Sequence, residues 1–254
     1  MDSEFINKFF SYKKLYMIFL LFFLGSIVGS FYHCLAMRIL NGEDWKKGRS
    51  HCDLCGHVLT VGDLIPIVSF LLLKGRCRYC REKLSFKYLL IEVFLGFIYV
   101  FTYLCFQRIN ISLFCLLNLF GLLLGLSLVD LESYIIPDGF IMMGVINWFI
   151  SAMFCLNLRY AIWRTVEAFL LAGMVYLLAW LMNKINKKEN FGGGDIKLIF
   201  VIGLYTGFYF GIWVLLWSCL IGLVYALHVK KRRIPFGPFL SVSAMLVLLY
   251  RGLI

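Results

Sequence analysis

The sequence predicts an all-α polytopic membrane protein of about eight transmembrane helices with one small cytoplasmic, cysteine-rich, zinc-binding insertion. Three observations predict it. Of 254 residues, 62% are hydrophobic and the mean hydropathy is +0.87, whereas soluble domains are only about half apolar. Apolar runs of about 20 residues, enough for a helix to cross a bilayer, recur along the chain. The cations collect in alternate loops, as they do on the cytoplasmic side of membrane proteins. That pattern accounts for the net charge of +11 without a nucleic-acid surface, so no nucleic-acid partner is expected.

Residues 1–14 form a mixed polar tail, and Leu15–Met37 is the first helix. It runs on past Gly25-Ser26-Ile27-Val28-Gly29-Ser30 and reads as a retained helix, not a cleaved leader. Residues 38–87 are polar. Arg38, Lys46, Lys47, Arg49, Lys74, Arg76, Arg78, Arg81, Lys83 and Lys87 outnumber Glu43, Asp44, Asp53, Asp63 and Glu82, which marks the segment as cytoplasmic. Further helices are expected near 88–106, 111–129, 139–157, 161–182, 196–208, 210–228 and 236–252. The pair meeting at Thr206-Gly207-Phe208-Tyr209 has one long bent helix as its alternative. The expected domains are 1–37 (tail and first helix), 38–87 (cysteine-rich segment) and 88–254 (membrane core).

With 38–87 inside, the loops 130–138, 183–195 and 229–235 are inside as well. Lys184, Lys187 and Lys188, then Lys230, Lys231, Arg232 and Arg233, fall in or beside the last two. The opposite loops hold Arg108, Arg159 and Arg251, and both termini are expected outside.

Four of the nine cysteines form Cys52-x-x-Cys55 and Cys77-x-x-Cys80, the spacing of a four-thiolate zinc site. Disulfides are disfavoured in a cytoplasmic segment; free or redox thiols are the alternative. Zinc would fold a segment too small to hold itself by a core. His51 and His57 are surplus to the ligand count. The other cysteines (Cys34, Cys105, Cys115, Cys155, Cys219) lie in or beside apolar runs and read as small hydrophobes.

Two carboxylates stand at membrane-helix ends on the cytoplasmic side. Asp130 closes the run Leu126-Ser127-Leu128-Val129, and Asp195 follows Gly192-Gly193-Gly194 and precedes Ile196-Lys197. Acids in such places are functional candidates. The glycines permit positive φ and close backbone approach. They would let the loop bring Asp195 to Asp130. Two facing carboxylates share one proton and can hydrolyse a peptide through water, with no metal. Taken singly, Asp130 could simply open a loop, Asp195 could cap a helix, and the glycines could be a linker. Asp138, after Pro137, competes as the first aspartate but suits a helix start.

The motifs together resemble the type IV prepilin peptidases, the glycine–aspartate intramembrane aspartic proteases (leader peptidase/N-methyltransferase family). They are Gly29-Ser30-Phe31 with Arg38; Ser50, Cys52-x-x-Cys55, Asp63-Leu64-Ile65-Pro66, Ser69, Gly75-Arg76-Cys77-x-x-Cys80, Tyr88 and Glu92; Asp130 with Ile136-Pro137-Asp138; and Gly192-Gly193-Gly194-Asp195-Ile196-Lys197-Leu198. The resemblance covers nearly the whole chain. It implies Asp130 and Asp195 as the catalytic pair, with Gly192, Gly193, Gly194 and Lys197 supporting the loop and substrate. It implies prepilin-like substrates (pilins, pseudopilins or competence pilins) cut after a glycine that precedes an apolar helix. The site would face the cytoplasm in a bacterial inner membrane, with lipid as the surrounding partner. It also implies methylation of the new N-terminus with S-adenosyl-L-methionine. The family's first motif is altered here, with His33 for asparagine, Cys34 for valine and Leu40 for proline. A peptidase without the methyltransferase is therefore kept as a variant reading. A transporter or channel is the reading from another class, since membrane acids also relay ions. It would call for internal repeats and midplane acids, whereas no clear repeat is seen and these acids sit at helix ends.

Overall fold

The computed structural model describes residues 3–43, 48–52, 54–186, 192–229 and 234–253, with side chains from residue 12 onward. Asp44, Lys46, Lys47, Asp53, Lys187, Lys188, Phe191 and Lys230–Arg233 lie outside the described residues. The helices are α1 (Ser3–Leu40), α2 (Val68–Leu72), α3 (Lys87–Phe106), α4 (Ile111–Ser133), α5 (Asp138–Cys155), α6 (Leu158–Asn186), α7 (Gly193–Val229) and α8 (Gly237–Leu253). The chain forms two compact units, Met1–Arg108 and Ile109–Ile254.

In the first unit α1 packs along α3. Small residues set the spacing: a Cβ on Gly25 would lie 2.8 Å from the Leu95 carbonyl oxygen, and one on Gly96 would lie 2.8 Å from the Phe22 ring. Gly25 and Gly29 are four apart on one face, the small-residue pattern by which membrane helices approach closely. The polar segment between the helices contains a 3₁₀ turn (Val61–Leu64), α2 and two isolated antiparallel bridges, His51 with Val58 and Arg76 with Lys83. The buried Glu92 of α3 ties it down by accepting the Ile67 N–H at 2.7 Å.

In the second unit α4 lies between α5 and α8, and α7 packs on α6, α8 and α5. The Asn110 side chain caps α4 by accepting the Leu113 N–H at 2.8 Å. The helix ends at Tyr134, which turns left-handed (φ 57°) and donates its N–H to the Asp130 carbonyl at 2.9 Å. Pro137 then sets the entry to α5. Deeper in the unit, the buried Asn147 side-chain amide donates to the Cys115 carbonyl at 2.7 Å and to the Tyr205 hydroxyl at 2.8 Å, joining α4, α5 and α7.

At 37 residues α7 would be about 55 Å long if straight, far more than the roughly 30 Å apolar core of a bilayer. It is folded at Gly207 (φ 77°, ψ −176°). One methyl carbon, Leu171 Cδ2, lies 3.3 Å from where a Cβ on Gly203 would be and 2.4 Å from one on Gly211. Eight residues of straight helix would separate those positions by about 12 Å. The arms 193–206 and 208–229 therefore run antiparallel. Gly222 of the second arm packs against Phe239 near the start of α8, while Arg251 near the end of α8 reaches Tyr205 beside the turn, so the second arm runs antiparallel to α8. Counting the arms separately, the described residues hold the eight helices the sequence predicts. Six elements are long and apolar enough to cross a membrane, and Gly237–Leu253 is a shorter apolar helix.

Two arginines close the hairpin turn. Arg164 Nη1 donates to the Thr206 carbonyl at 2.8 Å and Arg251 Nη1 to the Tyr205 carbonyl at 3.2 Å. Cations belong at these last carbonyls of the first arm.

Candidate active site

Asp130 lies in the last turn of α4 and is 4% exposed. Its Oδ2 accepts the backbone N–H of Gly237, the first residue of α8, at 2.8 Å. A helix N-terminus presents free N–H groups and partial positive charge, so this contact suits a carboxylate. It also demands glycine: a Cβ at position 237 would lie 2.7 Å from that oxygen and 3.3 Å from Leu126 Cδ2.

Asp195 enters from the first turn of α7 and is half-buried. Its N–H donates to the Gly192 carbonyl at 3.2 Å. Gly193 and Gly194 are already helical, so neither is needed for left-handed backbone; close approach applies at Gly194, whereas a Cβ on Gly193 would meet nothing within 4 Å. A Cβ on Gly194 would lie 3.0 Å from Ile136 Cβ, and one on Gly192 would lie 3.0 Å from Asp195 Oδ2. The loop after α4 therefore sits directly on the start of α7, which brings the chain that follows Asp130 against the turn that bears Asp195.

The other residues singled out from the sequence fall as follows. Lys197 Nζ pairs with Asp138 Oδ1 at 2.6 Å, and both side chains are exposed (53% and 72%), so this ion pair lies on the surface. Asp138 begins α5, as a helix-start residue should. Gly237 was not foreseen. The signal was Pro235-Phe236-Gly237-Pro238, a glycine between prolines at the head of the last apolar run.

In the first unit the ligand atoms of Cys52, Cys55, Cys77 and Cys80 all lie within 4.8 Å of one another. A tetrahedral zinc with bonds of about 2.3 Å places its sulfurs about 3.8 Å apart, so a small contraction completes the site. Two equivalent turns, 25 residues apart in sequence, build it. Gly56 N–H donates to the Cys52 carbonyl at 2.8 Å, and Arg81 N–H to that of Cys77 at 3.1 Å. Gly56 and Arg81 both have positive φ (69° and 62°). Leu59 N–H to Ser50 and Leu84 N–H to Gly75, each 2.8 Å, close the matching hairpins. Burial would push the Cys77 thiol up, but the N–H groups of Cys80 and Tyr79 and the neighbouring thiols bring it down to about 7. His51 faces Glu43 at 3.5 Å and His57 stacks on Tyr79, which leaves four cysteines as the ligand set.

Asp63 braces the same insertion. It accepts from the Thr60 N–H (3.1 Å) and hydroxyl (2.7 Å), from Arg78 Nε (2.6 Å) and from the Tyr79 hydroxyl (3.2 Å). Burial opposes its charge, but the Thr60 donors and the Arg78 guanidinium outweigh that and hold its carboxyl at about 2.

Comparison with known proteins agrees with this division. Residues 23–106 match the bacterial peptidase A24 N-terminal domain, and residues 115–227 match the type IV leader peptidase family. A Dichelobacter nodosus protein named prepilin leader peptidase/N-methyltransferase is 31% identical over 79% of this chain and 71% of its own length. Proteins of the same name from Bacillus subtilis (strain 168) and Pseudomonas putida are 29% and 28% identical. The first alignment covers 92% of this chain and 94% of the relative, and the second covers 95% and 93%. No solved structure matches the chain. With its helical membrane core, its four-cysteine insertion and these relatives, the chain is an enzyme of the type IV leader peptidase family.

Proposed function

We propose that the chain is a membrane aspartic endopeptidase that removes the leader of prepilin-like proteins, with Asp130 and Asp195 as its catalytic pair. The observation that carries this reading is the contact between their helix ends. Asp130 is fixed by the Gly237 amide while the start of α7, which bears Asp195, is packed against the loop that follows Asp130.

Two adjacent carboxylates share one proton. The ionised member takes a proton from water as the water oxygen attacks the scissile carbonyl carbon. The protonated member donates a hydrogen bond to the carbonyl oxygen as it becomes an alkoxide. Collapse of the tetrahedral intermediate breaks the C–N bond, and the first carboxyl returns its proton to the leaving amine. Gly194 supports this by admitting Ile136 to the start of α7, while Lys197 meets Asp138 of α5 at the surface.

The substrate in this reading has a glycine before an apolar helix, and the site opens on the cytoplasmic face of a bacterial inner membrane. Supporting that orientation, Lys184, Lys187 and Lys188 precede Gly192-Gly193-Gly194-Asp195 in the sequence, and Lys230–Arg233 precede Gly237. The four cysteines suit zinc, which would cross-link the two turns of the insertion.

The relatives' names carry a second activity, N-methylation, which needs S-adenosyl-L-methionine. That cofactor presents an ammonium, a sulfonium and an adenine ring. The covered acids of the first unit, Asp63 and Glu92, already accept from Thr60, Arg78 and Tyr79, and from Ile67 and Ser30. These residues do not fit the cofactor, and we derive no transfer step from them. The mass of a processed substrate's N-terminus decides between a bifunctional enzyme and a peptidase alone.

The peptidase reading is tested by Asp130→Asn and Asp195→Asn in membranes containing a prepilin-like substrate. Each variant should insert at normal levels and lose the size shift that marks leader removal. Retained cleavage by both single variants would rule the pair out.

A further inference from the structure

We propose that the groove between the second arm of α7 and the start of α8 seats the apolar helix of the substrate, just beyond the scissile bond. This rests on the peptidase reading above and deepens it. The groove has a volume of about 520 Å³ and is lined by Trp217, Leu220, Val224, His228 and Phe239, among others. That lies within the roughly 300–1,000 Å³ of ligand-binding clefts.

Three observations point to a protein helix and not to lipid alone. The first is position. Phe239 is two residues from Gly237, whose N–H holds Asp130, so the groove begins within one turn of the carboxylate pair.

The second is length and direction. From His228 to Trp217 the groove follows eleven residues of α7, about 16 Å of helix axis, leading away from the aspartate-bearing end. A substrate cut at that end, with its apolar helix still in the bilayer, leads its helix away in this same direction. The groove would take about three turns of it.

The third is the chemistry of Trp217. It is 50% exposed and lies about 15 Å from Gly207 and 18 Å from Val229, near mid-depth of its arm. Lipid-facing tryptophans gather at the two membrane interfaces, where the indole N–H finds acceptors. Among the described residues nothing accepts from the Trp217 N–H, and a lipid tail offers no acceptor there. A protein helix can bring one, together with a surface against which the ring can pack.

The experiment uses the full chain in membranes. A photo-reactive phenylalanine is placed at Val224 or Trp217 in the Asp195→Asn background, with a full-length prepilin-like substrate co-expressed. Cross-links are expected to the first three turns of the substrate's apolar helix. The same probe at Leu177, exposed on α6, should give none. In the active enzyme, Val224→Trp fills the groove and should raise the KM for that substrate about tenfold, as a misfitted apolar pocket does. It should move kcat far less, while Leu177→Trp leaves both unchanged. Cross-links to lipid alone, or an unchanged KM in Val224→Trp, would overturn the groove while leaving the peptidase reading intact. If the wild-type chain cleaves no prepilin-like substrate, both readings fall together.

Discussion

The Gly237 N–H donates to Asp130 Oδ2 across 107 residues of sequence, at 2.8 Å, where a Cβ would stand 2.7 Å from the same oxygen. One missing side chain thus sets the position of one carboxylate. Gly237→Ala should keep the donor but displace the acceptor. A shift of about an ångström at a reacting group costs about a hundredfold in rate. We expect that loss in cleavage of a prepilin-like substrate, with unchanged membrane insertion and thermal stability lowered only slightly. Near-normal cleavage would mean that Asp130 is not held this way.

How far the site could be read from the sequence follows from the same pair. Asp130 and Asp195 stand out because each breaks an apolar run at its end, a local signal. Gly237 carries no such mark. Its importance lies in which oxygen its amide meets, and that depends on five intervening changes of chain direction. The cysteine turns were legible for the opposite reason: each is a complete local structure, closed by an N–H group (Gly56 or Arg81) four residues after its first ligand. The hairpin at Gly207 was legible only as an ambiguity, since two short arms and one bent helix give the same apolar pattern. What decides between them is the packing of Leu171 against both arms, and sequence periodicity does not report that.

Gly207 itself makes a second prediction. Its φ of 77° lies in the region that side chains avoid, and a Cβ there would lie within 1.8 Å of Arg164 Nη1. Gly207→Ala should destabilise the second unit by about 1–3 kcal/mol. Thermal unfolding in detergent measures this. An unchanged midpoint would show that the turn relaxes without cost.

The four-cysteine site predicts a metal. Purified protein should contain close to one zinc per chain, and Cys52→Ser should lose it and make residues 48–86 sensitive to protease. A zinc-free protein whose insertion survives Cys52→Ser intact would count against the site.

Asp63 makes a prediction about pH. A free aspartate titrates near 3.9, and this one is held at about 2. A lowered folded value means that its contribution is complete above about pH 4 and fades as pH falls toward 2. Between pH 5 and 8 the difference in protease resistance between wild type and Asp63→Asn should therefore be constant. A difference that changes within that range would show that another group controls the insertion.

The exposed Lys197–Asp138 pair should contribute little. Surface pairs are worth about 0–1 kcal/mol, so Lys197→Ala should leave thermal stability within about 1 kcal/mol of wild type. A large loss of cleavage in that variant without loss of stability would reveal a direct role for the ammonium at the substrate.

The fold at Gly207 also settles a question of wiring. Each crossing carries the chain to the other side of the membrane, so an uninterrupted 193–229 segment would deliver α8 to the far side from α4. Gly237 would then emerge in the wrong compartment, a full membrane thickness from Asp130. By adding one reversal, a single left-handed residue makes the number of crossings even between the two aspartate-bearing helix ends and the amide that completes them. A mutation that straightened this turn would not merely loosen the enzyme. It would invert the address of its last helix.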